Sequence, residues 1–598
     1  MRIRLLACLA LAGVVLAGAP AANALQKPAA PANADARLKA LYTKEWAWRE
    51  TELAHADEGD AVPIQPYLPK VDAASQERRL AYWQDVRRQL DAIPEASLSP
   101  EQRVNYEIYR DQIDTLISQQ KFREYEKPFN SDSSFWSSFN YTAMRTLHDA
   151  KEYRAYIAQM NDIPRYFAEY TVNMRAGLKR GFTPPKATLV GREVSVSATV
   201  DAKDPESTLF WKPFKAMPAS IPAAEQAALR AEAKVTIERT VKPAYATLLV
   251  FLRDDYIPHT AETLAAESLP DGPAYYRAQI KEYSTLDMAP EDIHQLGLAE
   301  VAKIHAQMLD VMKETGFQGD FPAFLAYLRS DPKFYAKTPD ELLMRGAWIA
   351  KRVDGKLSAY FGWLPRSRFA IEPVPADMAP FYTSARGGKS TYLLNTYDLP
   401  SRPLYNLTAL TLHESAPGHS LQGGLAEEQT DLPDFRRYIY ISAYGEGWAL
   451  YCERLGVEMG MYDTPYDRFG MLTFQMWRAA RLVVDTGIHH KGWTRAQAIQ
   501  FLHENTALAD HDIEIEVDRY ISWPGQAVSY YLGMMAIVDE RAKAEKALGP
   551  KFDIRAFHDT VLSMGSVPLP VLRARIDRFI AEGGRDPMPV TWQKTVAP

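Results

Sequence analysis

The run His413-Glu414-Ser415-Ala416-Pro417-Gly418-His419, followed by Glu446 in Tyr444-Gly445-Glu446-Gly447-Trp448, holds the residue types that a hydrolytic zinc site needs. Two imidazoles and a carboxylate from further down the chain could bind one ion and leave a fourth position for water. Glu414, beside the first imidazole, could then take that water's proton. The ordinary alternative is a chance His-Glu pair with another histidine nearby, each solvated or hydrogen-bonded on its own.

The spacing departs from the short zinc motif His-Glu-x-x-His, in which histidines four residues apart share one helical face. Here His419 follows His413 by six positions. On an unbroken helix it would point about 120° away and lie about 9 Å further along the axis. A shared ion therefore requires the helix to be distorted between them, and Pro417 and Gly418 occupy that gap. Proline withholds the amide hydrogen that the His413 carbonyl would accept and crowds that carbonyl, while glycine tolerates unusual torsions. A bulge or break is expected there, swinging His419 back toward the first ring.

Several separate motifs occur in a fixed order around this run. They are Tyr392-Leu-Leu-Asn395-Thr-Tyr-Asp-Leu-Pro400-Ser-Arg402, then His413 to Gln422, then Glu446-Gly-Trp-Ala-Leu-Tyr-Cys-Glu453. Arg481-Leu-Val-Val-Asp485-Thr-Gly-Ile-His489, Gly492-Trp-Thr494 and Arg519-Tyr520 before Pro524-Gly-Gln526 follow. Together, from about residue 35 to the C-terminus, the chain resembles the bacterial family catalogued as domain of unknown function 885 (DUF885). The resemblance implies a mainly α, large multi-helical metallopeptidase-like fold in a periplasmic or secreted protein. It also implies distant similarity to helical, gluzincin-type zinc peptidases such as thimet oligopeptidase, angiotensin-converting enzyme and the thermostable carboxypeptidases. Those groups keep the four-residue histidine spacing, which this chain does not.

On this basis His413, His419 and Glu446 are the expected zinc ligands and Glu414 the general base, passing a proton from water to the leaving nitrogen. Glu446 is preferred as third ligand because peptidases of this architecture draw it from the start of a downstream helix. Glu453, seven residues on and on the same helical face, is then expected to orient a histidine from behind; the two glutamates could exchange roles. Tyr520, Tyr530 and His489, each in a downstream motif, are candidate donors to a developing oxyanion, with core hydrogen bonding as the alternative. A second group, His503, Glu504, Asp510, His511 and Asp512, could bind metal but reads better as a solvated turn.

The elements that must position these residues are mostly helical. Leu38 to Leu53, Gln76 to Ile93, Pro100 to Gln119 and Met144 to Leu178 repeat apolar residues three or four apart. Pro184 to Pro222 loses that period and reads as a long connection or an insertion over the cleft. Helical patterning resumes over Ala223 to Arg253, from Pro290 to about Gly316, over Pro322 to Leu328, over Asp340 to Phe361 and over Met471 to Thr486, ending at Gly487. Thr494 with Gln497 suits a capping box. Arg481 and Asp485, one turn apart, read as a structural pair.

Before the histidines the pattern changes. Phe369 to Val374 and Thr391 to Thr396 are predicted strands around a Gly387-Gly388 turn, giving a small β-sheet beside the active-site helix. Its exposed edge could pair with an extended peptide. Tyr392, Asn395, Arg386 and Arg519 are therefore candidate substrate contacts; a terminal carboxylate could be received by Arg386, Lys389, Arg402 or Arg519.

The first 24 residues read as a signal peptide: Arg2 and Arg4, an apolar run from Leu5 to about Gly18, and Ala22-Asn23-Ala24 as cleavage site. Leu5-Leu6-Ala7-Cys8 mimics a lipobox but leaves almost no apolar stretch before the cysteine. Residues 25–34 read as a disordered leader and 35–598 as a single helical catalytic module, comprising 35–183, the connection 184–222, and 223–598 with the metal site. Of the 69 basic residues, Arg2 and Arg4 leave with the signal, so 67 face 75 acidic ones, a net charge of −8. That gives no footprint for nucleic acid. Cys8 leaves too, and Cys452 alone cannot form an internal disulfide. No later segment has 18 uninterrupted apolar residues, so no membrane span is expected.

These readings converge on an exported zinc metallopeptidase hydrolysing peptide or isopeptide bonds of short peptides, with carboxypeptidase, dipeptidase, oligopeptidase and isopeptidase action all open. The competing readings are an inactive periplasmic peptide-binding protein of the same fold, and a serine hydrolase using Ser415, which lacks a Gly-x-Ser-x-Gly setting.

Overall fold

Leu38, Leu41, Tyr42 and Trp46 recur at three- and four-residue spacing, and they form the buried face of α1 (Ala34–Glu52). The same logic gives α2 (Ala73–Asp91) and α3 (Pro100–Phe122), each started by a side-chain cap, Asp72 and Ser99. The computed structural model describes residues 33–54, 62–376, 379, 383–388 and 390–587. The expected signal peptide, all but the end of the leader, and Lys389 lie outside the described residues.

The chain builds two buried clusters. The larger takes residues of the first three helices and of everything from Ala266 to Phe579. The smaller gathers Ile64 to Val71 with Phe129 to Tyr256, including residues of α4 (Ala150–Arg180). The helix expected over Met144 to Leu178 is divided, Ser138–Met144 before and α4 after, because Asp149 caps a new start at the Glu152 amide. The expected connection 184–222 folds into short helices. Leu189, Val196, Phe210, Trp211 and Phe214 from it fill the smaller core.

Around the candidate site, α5 (Pro290–Glu314) packs along α9 (Pro465–His489). A three-stranded sheet precedes the histidines: β1 (Ala370–Pro373), β2 (Ala385–Gly387) and β3 (Thr391–Leu394), in the order β1-β3-β2. β1 runs parallel to β3 and β2 antiparallel, with Arg386 opposite Leu393. The expected glycine turn is thus itself partly an edge strand. The remaining elements are α6 (Leu404–Glu414), α7 (His419–Glu428), α8 (Ser442–Glu458), α10 (Asp510–Ser522) and α11 (Ser529–Leu548). α9 continues beyond the expected stop: Gly487 lies inside it, where the Trp493 ring occupies the space a Cβ would fill. The Thr494–Gln497 capping box forms as expected. Among the described residues no helix is long and apolar enough to cross a membrane.

Candidate metal centre

α6 stops at Glu414 and α7 starts at His419, so each histidine belongs to its own helix. Several carbonyls freed by the break find new donors, as buried backbone requires. Thr411 O accepts from the Ser415 N–H and hydroxyl, Leu412 O from the Gly418 N–H, and Glu414 O from the Ser420 hydroxyl. Pro417 O accepts from the Trp448 indole at 2.9 Å. Gly418 is needed for closeness: a Cβ there would lie 1.9 Å from the His413 carbonyl oxygen.

This turn brings the two imidazoles together, their ring centroids 4.9 Å apart and nearly perpendicular. Nε2 of His413 lies 3.5 Å and Nε2 of His419 3.3 Å from the same oxygen, Oε2 of Glu446. Glu446 stands on α8, which crosses α11 at backbone contact: a Cβ on Gly533 would fall 1.8 Å from Ala443 O, and one on Gly447 2.5 Å from the Gly533 carbonyl carbon. Larger residues would lift α8 and withdraw Glu446. Gly445 makes room for the Tyr440 ring, whose hydroxyl donates to Glu446 Oε1 at 2.8 Å.

His413 is 2% exposed and Glu453, behind it, is fully buried. Nδ1 of His413 lies 2.8 Å from Glu453 Oε1. Burial alone would lower the His413 pKa, but the flanking Glu446 and Glu453 carboxylates outweigh it and push it up to about 10. Burial likewise tends to raise Glu446, yet the charges and hydrogen bonds of His419 and His413 hold it well below the usual carboxylate range. Glu414 takes one hydrogen bond at Oε2 from the Gly387 N–H, 2.5 Å away. β2 can come this near because a Cβ on Gly387 would sit 1.9 Å from the Glu414 carbonyl oxygen.

Donor atoms held about 2.0–2.2 Å from one tetrahedral ion stand about 3.3–3.5 Å from each other. The His413–Glu446 and His419–Glu446 separations match, and two imidazoles with one carboxylate are a donor set zinc accepts. His413, His419 and Glu446 are the one such group among the described residues.

The triad opens on a cleft of about 1840 Å³ that Glu414, Arg386, Arg519 and Tyr530 also line. Its other wall comes from the smaller core's segment, where Tyr141, Met144, Val190, Val194 and Leu209 present apolar surface. Other expected site residues lie elsewhere. Both ring nitrogens of His489 are used inside the protein, Nδ1 accepting from the Ala266 N–H and Nε2 donating to Tyr520 O. It is fully buried and off the cleft. Tyr520 is 1% exposed, its oxygen accepting from Trp477 and Arg481. Tyr392 is buried against Thr411, and the Asn395 amide donates to Ala379 O and Thr383 O. These four residues hold structure and do not border the cavity. Arg481 and Asp485 do not pair with each other: Arg481 binds Glu516, and Asp485 accepts from Tyr276 and the Gly525 N–H. The His503 ring pairs with Asp510 across the turn between their two helices.

Tyr440 and Arg478 border the site without having been anticipated. The signal for Arg478 was available: Arg478 and Arg481 are cations one turn apart in a largely apolar stretch of α9, Phe474 to Val484.

A family described as "Bacterial protein of unknown function (DUF885)" matches residues 54–576. A solved structure described as "the putative lipoprotein from Colwellia psychrerythraea" is 26% identical over 92% of this chain and 100% of its own, with a TM-score of 0.83. "A putative lipoprotein of unknown function from Shewanella oneidensis" is 18% identical over 91% of this chain and 99% of its own, at 0.68, and shares the fold. No curated protein matches the chain.

Proposed function

We propose that this chain, which belongs to the DUF885 family, is an exported zinc-dependent peptidase that hydrolyses short peptides in the cleft between its two cores. The observation that carries the reading is the convergence of His413 Nε2 and His419 Nε2 on one oxygen of Glu446, beside the Glu414 carboxylate. Export is supported by the leader pattern and by the description of the Colwellia protein as a lipoprotein.

His413, His419 and Glu446 would hold the ion. Bound there, zinc would supply the acidity of a water and the polarisation of the scissile carbonyl. Glu414 then accepts the water's proton, its orientation kept by the Gly387 N–H. The water oxygen joins the carbonyl carbon, the C–N bond breaks, and Glu414 hands its proton to the departing nitrogen. Tyr530 faces the cleft and its phenol oxygen accepts from Arg519 at 3.0 Å, so its own proton can be donated to the oxyanion. The apolar wall opposite suits aliphatic or aromatic side chains of a peptide.

The test is a peptide-library digest read by mass spectrometry, with and without chelator, alongside metal analysis of the purified protein. Chelator-sensitive cleavage with stoichiometric zinc is expected. Peptide binding without cleavage, in a zinc-loaded protein, would favour a carrier instead.

A further inference from the structure

Beside the triad, one wall of the cleft carries three arginines. Arg478 and Arg481 lie one turn apart on α9 and Arg519 lies on α10. Arg478 is 4% and Arg481 1% exposed. A buried guanidinium is costly unless its N–H groups find acceptors. Arg481 donates to Tyr520 and Glu516, but its Nη1 has no partner among the described residues. Arg519 reaches Gln526, Glu516 and the Tyr530 oxygen. Arg478 is the least satisfied: Nε and Nη1 have no partner among the described residues. Its ionic neighbour, Glu453, is 3.9 Å from Nη2 and already engaged by His413.

Aromatic faces surround these cations. Arg478 lies 4.1 Å from the Trp477 ring centre and 4.6 Å from that of Phe474, and Arg481 lies 4.3 Å from that of Tyr530. Rings stabilise a cation but give its N–H groups no in-plane acceptor. Glu516 is the carboxylate that Arg481 and Arg519 share. Three guanidinium groups thus share Glu516 and the more distant Glu453, which His413 already engages, leaving donors unmet. Arg478, Arg481, Arg519 and Tyr530 line the same cleft as His413, His419 and Glu446. Tyr530 lies on α11 just ahead of Gly533, where that helix touches α8 beneath Glu446, so pocket and triad adjoin.

We infer that this arginine pocket receives the free C-terminal carboxylate of the peptide, which makes the enzyme a carboxypeptidase. A planar carboxylate matches the guanidinium fork and supplies two acceptors to donors that lack them. Anchoring it next to the triad puts the scissile bond near the chain end, since one residue spans about 3.5 Å. The inference rests on the peptidase reading above. The reaction is the same hydrolysis, with the water's OH going to the carbonyl carbon and its proton to the amino group of the released residue.

The test uses a pool of tripeptides Ala-Ala-X, X varied, as free acids and as C-terminal amides. Binding to the Glu414→Gln protein, incubated with zinc, is followed by equilibrium dialysis, and cleavage by the unsubstituted protein by mass spectrometry. The free acids should bind roughly tenfold or more tightly than the amides. Residue X should be released from the acids alone, and Arg478→Leu should remove the preference. The comparison of acid with amide needs no change in the pocket, so it stands even if Arg478→Leu fails to fold. Equal binding of acids and amides overturns the inference, as does a preference that chloride or phosphate abolishes at concentrations far below bulk screening, which marks an inorganic-anion site. A zinc-loaded protein that binds neither pool overturns it and leaves the metal reading standing. A protein without zinc that still prefers the acids leaves the pocket standing and removes the metal.

Discussion

Nδ1 of His413 and Oε1 of Glu453 stand 2.8 Å apart, both groups buried, so that the imidazole is held from behind and its Nε2 is turned to Glu446. A carboxylate in this place fixes the tautomer and raises the basicity of the free nitrogen. Glu453→Gln, close in shape but uncharged, should therefore weaken zinc binding by roughly 10–100-fold. Competition with a chromophoric chelator measures it; unchanged affinity would remove Glu453 from the site.

Glu414→Gln should keep the metal and lose activity. A positioned general base contributes about 10²–10⁴-fold, so turnover should fall within that range. Wild-type turnover in a zinc-loaded Glu414→Gln protein would mean that another group takes the proton.

The helix break makes a stability prediction of its own. Gly418→Ala drives a Cβ into the His413 carbonyl, and overpacking of this kind costs about 1–3 kcal/mol. Gly355→Ala is the control: its φ is −68° and the nearest atom to a new Cβ is 3.6 Å away, so its effect should stay within about 0.5 kcal/mol. Urea unfolding of the two variants should separate them, and equal midpoints would contradict the close approach at Gly418.

Asp485 gives a pH dependence whose sign can be worked out. Burial is the main influence, and despite hydrogen bonds from Tyr276 and Gly525 it pushes the carboxyl up to about 7. In the unfolded chain the group titrates near 3.9. Its contribution to stability is thus fully present below about pH 4 and is lost as pH rises through about 7. Compared at each pH, Asp485→Asn should gain on the wild type between those values and then level off. A difference in unfolding free energy that stays flat from about pH 4 to 8 would show the carboxyl to be unshifted.

Much of this architecture was legible beforehand. Helix periods, the Thr494 cap and the strands β1 and β3 depend on local chemistry that survives folding, and the misfit of six residues pointed to Pro417-Gly418 as the place where the backbone turns. What could not be read was partnership across the fold. His489 and Tyr520 sit in conspicuous motifs, yet they bind each other's neighbourhood and not the cleft. Arg481 and Asp485 are spaced for a pair, yet each is claimed by a residue distant in sequence. Tyr440 reaches Glu446 because a glycine yields space, a relation that depends on three-dimensional packing.

Because each imidazole hangs from a separate helix, the pair is released from any single helical pitch. Their convergence is set by how two helix axes meet and not by the number of residues per turn. Pattern scans keyed to a fixed histidine interval will therefore pass over such chains.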